Sequence, residues 1–192
     1  VEAEPLQGAA MSCLYGELDV RDSAIVHGVR PGINGYAIIA QLCALDLDGV
    51  ELRVGPDRVS RGIWADQSTL ALHEVDLQGG QAGILSWSSA LFLEDTRIHD
   101  MTDASSGVVS MNDSTLDWTS TTTGASAMTG NQGEYAAGIA FSRSEVRLEG
   151  LDVGTAATAN DPADVYITEL GRALDFDGVV HLACDGSGCE PL

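Results

Sequence analysis

The sequence contains no lysine, so arginine alone supplies its 9 basic residues. Against them stand 29 acidic residues, which gives a formal net charge of −20 at pH 7. Because nucleic acids and anionic membranes are themselves negatively charged, this balance excludes both as expected partners. Two interpretations of the acidic surface stay open: a solvated surface adapted to salt or secretion, or a dedicated cation site, for which calcium is the candidate cofactor.

Long hydrophobic runs are also missing. No apolar stretch approaches the roughly 20 residues of a membrane-spanning helix, so we expect no membrane insertion. Aromatic residues make up only 5% of the chain, whereas hydrophobic residues overall make up 44% and glycine occurs 22 times. The core must therefore consist of small and β-branched side chains, which suits thin, regular layers. With 192 residues the chain is long enough for one domain with a sizeable core.

Cysteine is scarce, with only Cys13, Cys43, Cys184 and Cys189. All are disulfide candidates, and the loop Cys184-Asp-Gly-Ser-Gly-Cys189 is short and flexible enough to close a bond. Free thiols are the first alternative. A zinc site is the last, because such sites use more closely spaced pairs or neighbouring histidines. Disulfides indicate an oxidising compartment, so we expect a secreted protein, extracellular or on a cell surface.

One pattern recurs along the chain. A small residue is followed one place later by a β-branched residue, at place six by another small residue, usually serine, and at places eight, ten, thirteen and fifteen by apolar residues. The pattern is clearest in segments 62–77, 83–98 and 138–153. Repeats of this length are typical of solenoids, whose turns bury their apolar faces only by stacking. The starts of the pattern lie near Ala10, Ala37, Gly62, Gly83, Gly107, Gly138 and Tyr166.

The spacing of the apolar places predicts β-strands. Places eight and ten lie on one face of a strand, and so do places thirteen and fifteen. The three-residue step between places ten and thirteen predicts a corner that keeps both pairs inward. A leucine-rich repeat is the closest alternative, but valine, threonine or leucine stands where that repeat has asparagine, and helix formers are lacking. A left-handed hexapeptide helix requires a more regular repeat length than the unequally spaced starts of this pattern show.

The run Gly-Ile-x-x-x-x-Ser-x-Leu-x-Leu-x-x-Val-x-Leu resembles the turns of right-handed parallel β-helix proteins, the pectin-lyase-like group. The resemblance covers residues 10–182 and implies an all-β fold, a right-handed parallel β-helix solenoid of about seven turns. We expect one such domain over 1–182 and a cysteine-containing tail over 183–192, in a bacterial protein. The group includes polysaccharide lyases, glycoside hydrolases, adhesins and surface proteins, so the fold is only an analogy for activity.

Stacked turns align equivalent places into ladders with a spacing of about 4.8 Å. Carboxylates at this separation can share a calcium ion or a proton. The alternative is that these outward polar residues simply form the solvent face. Place eleven aligns Asp48, His73, Glu94, Thr119, Glu149 and Asp177, and place fourteen aligns Glu51, Asp76, Arg97 and Asp152. The candidate catalytic residues are His73, Asp76, Glu94 and Arg97, and the candidate metal ligands are Asp48, Asp76, Glu94, Glu149 and Asp152.

Other residues give weaker signals. Trp64 and Trp87 fall at outward or corner positions where they can stack on a sugar ring, whereas Trp118 falls in an inward column and is expected in the core. The segments 46–49 (Asp-Leu-Asp-Gly) and 175–178 (Asp-Phe-Asp-Gly) resemble parts of a calcium loop. Both occupy the same repeat register, so we interpret them as corners. His27, His99 and His181 are expected to be isolated, without partners for a site.

The leading functional hypothesis is a non-catalytic secreted or cell-surface module, an interaction scaffold that binds carbohydrate or another surface protein. An enzyme is the second hypothesis: a polysaccharide lyase or glycoside hydrolase acting on acidic polysaccharide, with Arg97 or Arg147 as the base in a lyase. A structural segment of a larger adhesin is the third, because exposed strand edges at the ends of a β-helix allow end-to-end self-association. A groove with converging Asp and Arg side chains favours the enzyme, and a flat polar flank favours the scaffold.

Overall fold

The structure is a computed structural model that describes residues 8–27, 35–55, 60–102, 107–122, 124–132, 138–154 and 160. Beyond residue 160 it describes the backbone of strands at 165–167, 173–177, 182–185 and 188–191. The regular structure in all these residues is β-strand. Accordingly, no helix within them is long and apolar enough to cross a membrane.

Each turn of the chain runs along three walls, with a corner between one wall and the next. The first two turns have a long strand that passes through two walls and a short strand in the third: β1 (Gly8–Arg21), β2 (Ala24–His27), β3 (Gly35–Asp48) and β4 (Glu51–Val54). Later turns have separate strands: β5 (Ser60–Asp66), β6 (Thr69–His73), β7 (Asp76–Gln78), β8 (Ala82–Trp87), β9 (Ala90–Glu94), β10 (Arg97–His99), β11 (Val109–Asn112), β12 (Thr115–Thr119), β13 (Ala127–Thr129), β14 (Ile139–Ser142), β15 (Glu145–Glu149), β16 (Val165–Ile167) and β17 (Ala173–Asp177). The chain ends with β18 (Leu182–Asp185) and β19 (Gly188–Pro191).

Strands of successive turns pair in parallel, wall by wall. The first and second walls belong to one 14-stranded sheet, and the third wall is a 5-stranded sheet in the order β13-β10-β7-β4-β2. At the C-terminal end, β18 and β19 pair antiparallel with each other, and β19 pairs antiparallel with β16 at the end of the first wall. The all-β parallel β-solenoid predicted from the repeat is therefore confirmed.

The structure contains about four turns, fewer than the predicted seven. Separate strands on three walls occur in the turns that begin at β5, β8 and β11, and the turn of β14 and β15 is closed by a bridge between Asp152 and Ala127. The prediction also counted the flanking segments. In those, one continuous strand serves two walls, as in β1 and β3, or only the backbone of β16 and β17 is described.

Strand pairing confirms the register of most of the predicted columns. Leu45, Leu70 and Leu91 follow one another at place eight, and Leu47, Leu72 and Leu93 do so at place ten. Two assignments at place one were wrong. Val109, not Val108, pairs with Ile84, and Val165, not Ile167, pairs with Ile139. The Val108 carbonyl accepts hydrogen bonds from the N–H groups of both Gly83 and Ile84. Because Val109 pairs with Ile84, this turn begins at Val108, where the prediction had Gly107.

The fifth turn carries an insertion that hid two further column positions from the sequence pattern. Its third wall begins only after residues 120–125, and there Met128 pairs with Ile98 at place fifteen. Thr96 at place thirteen is followed by Ser126, whose carbonyl accepts the hydrogen bond from the N–H of Asp152. Because the insertion lies at a corner, the chain returns to register and Met128 is fully buried.

The inward columns form one continuous apolar core. Leu70 and Leu91 at place eight are fully buried, and so is Trp118 at place ten, as predicted. Burial of each such side chain contributes roughly 1.5–3 kcal/mol relative to exposure. Because aromatic rings are few, stacked leucine side chains fill the core volume that larger side chains fill in other proteins. This core packs the walls against one another and leaves the outward places of each strand on the surface.

Corners depend on residues in the left-handed helical region. Gln67, Ser88 and Arg143 at place five have φ near 48–49°, and at place twelve Gly49 and Glu74 have φ of 61° and 51°. The corner N–H groups still donate to carbonyls of the next turn, as Gln67 does to Trp87 at 2.9 Å. The left-handed conformation costs non-glycine residues about 1–2 kcal/mol each, and these inter-turn bonds and the adjoining buried columns offset the cost. The segment 46–49 ends at such a corner, because Asp48 is the last residue of β3 and Gly49 turns the chain.

One of the disulfide candidates is confirmed. Cys13 and Cys43 form a disulfide with a Cα–Cα distance of 6.0 Å, which joins β1 to β3. In the C-terminal hairpin the backbone positions of Cys184 and Cys189 face each other across the antiparallel pair β18–β19. Their facing positions are consistent with the predicted bond in the loop between them.

Candidate functional site

The outer face of the second wall holds the polar side chains of the ladder predicted at place eleven. We call it the Phe92 face and define it by the outward residues of β6, β9, β12 and β15. The strand register places Ala71, Phe92, Asp117 and Arg147 in one row across these strands. A second row contains His73, Glu94, Thr119 and Glu149, with Asp48 beside His73. The ladder predicted at place eleven is therefore confirmed in its register.

Phe92 is the most prominent apolar group on this face, with 50% of its surface exposed. Two shallow depressions flank it. One, of about 230 Å³, lies beside His73, Glu94 and Thr119. The other, of about 320 Å³, lies beside Glu145 and Arg147. The first exists because Ala71 is small and leaves one side of the phenyl ring uncovered.

His73 is held by a carboxylate of the preceding turn. Its Nδ1 lies 2.9 Å from Oδ1 of Asp48, and its Nε2 lies 3.8 Å from Oε1 of Glu94. The hydrogen bond to Asp48, together with the negative charges of Asp48 and Glu94, raises the pKa of His73 above its usual value. The ring is half-exposed, so His73 can donate or accept a proton at the surface of the wall.

Arg147 binds two carboxylates at the β15 end of the Phe92 face. Its guanidinium donates to Asp117 of the preceding turn at 3.0 Å and also to Glu149 on its own strand. Both carboxylates therefore lie beside a positive charge. This side of the face presents paired charges in a flat array.

The structure separates the four candidate catalytic residues into two pairs. His73 and Glu94 lie on the second wall, whereas Asp76 and Arg97 are paired in register on the third wall. The corner at place twelve lies between them, because the chain turns there and points the outward residues of the two walls in different directions. The place-fourteen ladder is thus real in register but does not join the place-eleven ladder.

Asp76 has a different partner from the one expected. Its Oδ1 lies 2.9 Å from Nε2 of His99, whose Nδ1 lies 2.8 Å from Asp100. The prediction that His99 is isolated was therefore wrong. His27 is buried, and its Nε2 has no hydrogen-bond partner. His181 lies outside the described residues.

Among the described residues, one group of side chains has ligand atoms close enough to share a metal ion: His73, Glu94 and Asp95, whose atoms lie within 4.8 Å of one another. Asp95 was not predicted, and its carboxylate already accepts the N–H of Thr121 at 2.8 Å. An imidazole and two carboxylates suit a transition metal better than calcium, which prefers six to eight oxygens.

The other predicted metal ligands are dispersed. Asp48 bonds His73, Glu149 bonds Arg147, and Asp152 accepts the N–H of Gly154 at 2.9 Å. Each carboxylate therefore serves the contacts of its own ladder or corner, and the structure does not bring the predicted set together around one point.

The structure places Trp64 and Trp87 at outward or corner positions, as the sequence predicted. Trp64 packs against Tyr36, with ring centroids 5.9 Å apart, and is only partly exposed. Trp87 is 41% exposed and lies at the end of β8 on the first wall. Phe92 was not predicted, since the sugar-stacking candidates from the sequence were Trp64 and Trp87. Its outward place between Leu91 and Leu93 was the available signal.

Comparison of the chain with protein-family models, with curated proteins and with solved structures found no match. A solenoid fold by itself is compatible with many unrelated activities. The function must therefore be inferred from the side chains that the walls present.

Proposed function

We propose that this protein is a non-catalytic interaction module that binds carbohydrate on the Phe92 face. The observation that carries the proposal is a half-exposed Phe92 in the middle of a flat, polar wall, between two shallow depressions. A half-exposed phenyl ring on such a wall offers a flat apolar platform on which a ligand can stack.

The chemistry of the face suits a sugar ring. The C–H groups on the face of a pyranose are slightly positive, and the π face of a phenyl ring is negative, so the two stack favourably. Around Phe92, the carboxylates of Glu94 and Asp117 can accept hydrogen bonds from hydroxyls, and the guanidinium of Arg147 can donate them. Rows of such groups repeat with the strand spacing, which favours an extended ligand.

The negative charge of the chain favours neutral carbohydrates over acidic ones as ligands. With a net charge of −20, the surface repels polyanions over the range of the Debye length. The face itself has more carboxylates than cationic groups. We therefore propose a neutral oligosaccharide or polysaccharide as the ligand, in place of an acidic one.

A binding role also agrees with the exposure of the charged groups of this wall to solvent. Catalysis of glycosidic cleavage depends on charges that are concentrated where water is excluded. Here Asp117 and Glu149 are paired with Arg147 on an exposed surface. This is the flat polar flank, with its charges in pairs, that favours a scaffold over an enzyme.

We also propose that the chain belongs with the right-handed, pectin-lyase-like β-helix proteins and acts outside the cytoplasm, in a bacterial secreted or cell-surface setting. The repeat pattern supports the first part. The disulfide between Cys13 and Cys43 supports the second, because disulfides persist in oxidising compartments.

The test compares two aromatic truncations. We expect Phe92→Ala to weaken binding to a neutral oligosaccharide at least tenfold, because it removes the stacking platform. Trp87→Ala is the matched control: it removes another exposed aromatic ring, from the first wall, and leaves affinity within twofold. A panel of neutral and acidic glycans identifies the ligand, and isothermal titration calorimetry then measures the affinity of each variant.

Two outcomes count against the proposal. If Phe92→Ala binds as well as the unchanged chain, the ligand does not use this face. If no neutral glycan in the panel binds at millimolar concentration, carbohydrate is not the partner, and a surface protein becomes the leading ligand.

A polysaccharide lyase or glycoside hydrolase is the second candidate, favoured by His73. Its contact with Asp48 orients the ring and raises its pKa, as in many acid–base pairs. Acidic and neutral polysaccharides should be incubated with the protein, with and without calcium, while unsaturated products and new reducing ends are measured. Activity that His73→Gln abolishes would replace the binding proposal, and a flat trace with every substrate would remove the enzyme.

A further inference from the structure

The corner that follows β9 brings two carboxylates of one turn close to the imidazole of the turn before. Glu94 is the last residue of β9, and Asp95 follows it at the corner with a φ of 47°. Successive residues of an extended strand point to opposite faces, but the left-handed conformation of Asp95 turns its carboxylate toward the same side as Glu94. Ligand atoms of His73, Glu94 and Asp95 therefore lie within 4.8 Å of one another.

We propose that these three side chains bind a divalent transition-metal ion of the zinc type, on the outer face between β6 and β9. Histidine nitrogens and carboxylate oxygens bind zinc at about 2.0–2.2 Å, and three such ligands with one water complete a tetrahedron. Donor atoms in that geometry lie roughly 3.4 Å apart. Nε2 of His73 and Oε1 of Glu94 are already 3.8 Å apart, so a small rotation of the half-exposed Glu94 side chain brings them to this separation.

His73 is held with one ring nitrogen available to a metal. Its Nδ1 lies 2.9 Å from Oδ1 of Asp48. Because a carboxylate accepts, Nδ1 carries the proton, and Nε2 of the neutral ring has the lone pair that binds a metal. Metal-binding histidines usually donate their other N–H to a carboxylate or carbonyl in this way, which fixes the ring. His99 differs, since its two nitrogens contact Asp76 and Asp100 at 2.9 and 2.8 Å.

The two carboxylates of this group lack the arginine partners that other acids of the wall have. Arginine pairs with Asp117 and Glu149, but no arginine among the described residues pairs with Glu94 or Asp95. The partner of Asp95 is neutral: the N–H of Thr121 donates to one carboxylate oxygen at 2.8 Å, and its hydroxyl donates to the other. These bonds orient the Asp95 carboxylate and leave lone pairs on both oxygens. Two adjacent negative charges without a cation attract a dication to this point.

The donor set determines the kind of ion. Calcium takes six to eight oxygen ligands and magnesium keeps most of its waters, whereas an imidazole favours zinc, copper or nickel. Three protein ligands leave a fourth position for water or for an oxygen of a bound molecule. His73 and Glu94 line the depression of about 230 Å³, which has room for that fourth ligand. The ion joins two successive turns, and its binding does not rest on the proposed binding of carbohydrate.

Titration calorimetry with Zn²⁺ tests the site, after treatment of the protein with EDTA and at about pH 7.5, where protons compete little for the ligands. We expect one zinc ion per chain, and we expect His73→Gln and Asp95→Asn each to weaken binding at least tenfold. The matched controls are His99→Gln and Asp100→Asn on the third wall, where Asp100 is also a left-handed aspartate with a φ of 56°. Both should leave zinc affinity within twofold. A hundredfold excess of calcium should not displace the zinc.

Melting temperatures give a second measurement. A ligand that binds only the folded state stabilises it, so saturating zinc should raise the melting temperature of the unchanged chain and of His99→Gln, but not that of His73→Gln. Circular dichroism without metal checks that each variant is folded. Absence of zinc binding at millimolar concentration overturns the inference. Equal weakening in the site variants and the controls also overturns it, because the acidic surface in general would then hold the ion, and so does displacement by calcium.

Discussion

At the scale of single residues, the Phe92 face depends on side chains that reach across turns. His73 and Asp48 are separated by 25 residues in sequence, yet Nδ1 and Oδ1 lie 2.9 Å apart. Arg147 and Asp117 are likewise 30 residues apart and in contact. The strand spacing makes such contacts unavoidable for neighbouring outward residues. The types of residue at these places therefore decide the electrostatics of the face.

The Asp48–His73 contact predicts a shifted titration. We expect the NMR titration of the His73 ring to show a pKa above 6.5, and Asp48→Asn to return it toward that value, because the hydrogen bond to Asp48 is the main cause of the shift. Since the folded pKa is raised, the stability contributed by this contact is fully present below the unfolded pKa. It is lost as pH rises through the folded pKa.

The control for this titration is Glu145→Gln, which removes a charge from the other depression of the face. It should leave the titration of His73 unchanged. An equal shift in both variants would mean that the general acidity of the surface, and not the contact with Asp48, sets the pKa. The His73→Gln spectrum assigns the signal, because the chain contains 4 histidines.

At the scale of structural elements, buried hydroxyls tie the first corner of one turn to the next. The N–H of Ser68 donates to Oγ of Ser89 at 3.1 Å, and the N–H of Ser89 donates to Oγ of Ser114 at 3.2 Å. Each hydroxyl in turn donates to the carbonyl two residues earlier, as Ser89 does to Trp87 at 2.7 Å. Ser144 continues the ladder toward the C-terminus. This is the physical reason for serine at place six of the repeat.

Removing one rung should destabilise the solenoid. Ser89→Ala leaves the N–H of Ser68 and the carbonyl of Trp87 without this partner in a buried corner, so we expect a loss of about 1–3 kcal/mol in the free energy of unfolding. Ser110→Ala is the matched control, because Ser110 points outward from β11 and is only partly buried. Urea unfolding followed by circular dichroism measures both. Equal losses would show that the ladder contributes nothing beyond an ordinary surface serine.

A second ladder supports the third corner with amide side chains. Asn131 is fully buried and accepts the N–H of Met101 at 3.0 Å, while its side-chain NH₂ donates to Oδ1 of Asn160 at 2.8 Å. Asn160 donates in turn to the carbonyls of Met128 and Val153. These bonds satisfy backbone groups where the chain leaves the regular strands, so the connections after the third wall can vary in length.

At the scale of the whole molecule, stability is a balance between the stacked core and the repulsion of the surface. The leucine columns run through every described turn, whereas a net charge of −20 acts against compactness. The arginines reduce this cost where they pair with carboxylates, as Arg143 does with Asp113 at 2.7 Å.

Screening this repulsion should stabilise the protein. Between 0.02 and 0.5 M sodium chloride we expect the melting temperature to rise by several degrees, on the order of 1–2 kcal/mol, because the Debye length falls from above 20 Å to below 5 Å. Differential scanning calorimetry measures the rise. Potassium chloride should act equally. If calcium at the same ionic strength raises the melting temperature much further, the cause is a specific cation site instead of general screening.

The repeat made much of the fold predictable, for a simple reason. Inward residues of successive turns face the same core, so Leu70, Leu91 and Leu116 must be alike, and the likeness is visible in sequence. Outward residues face water and obey no such restriction. No aromatic residue recurs at the equivalent place of the neighbouring turns, so the repeat gave no signal for Phe92. The sequence did not predict that His73 and Asp76 lie on different walls, because it shows their spacing but not the angle of the corner between them.

Sequence alone determined the period, the inward columns and the corner after place ten, because each depends on local alternation and on burial that every turn repeats. Tertiary structure alone decided which residue of a corner takes the left-handed conformation, since Gln67, Ser88 and Arg143 share no side-chain chemistry. It also decided that the turn of β11 begins at Val108 and not at Gly107, and that His99 contacts Asp76. Those outcomes depend on contacts between turns, whose geometry exists only once the walls are stacked.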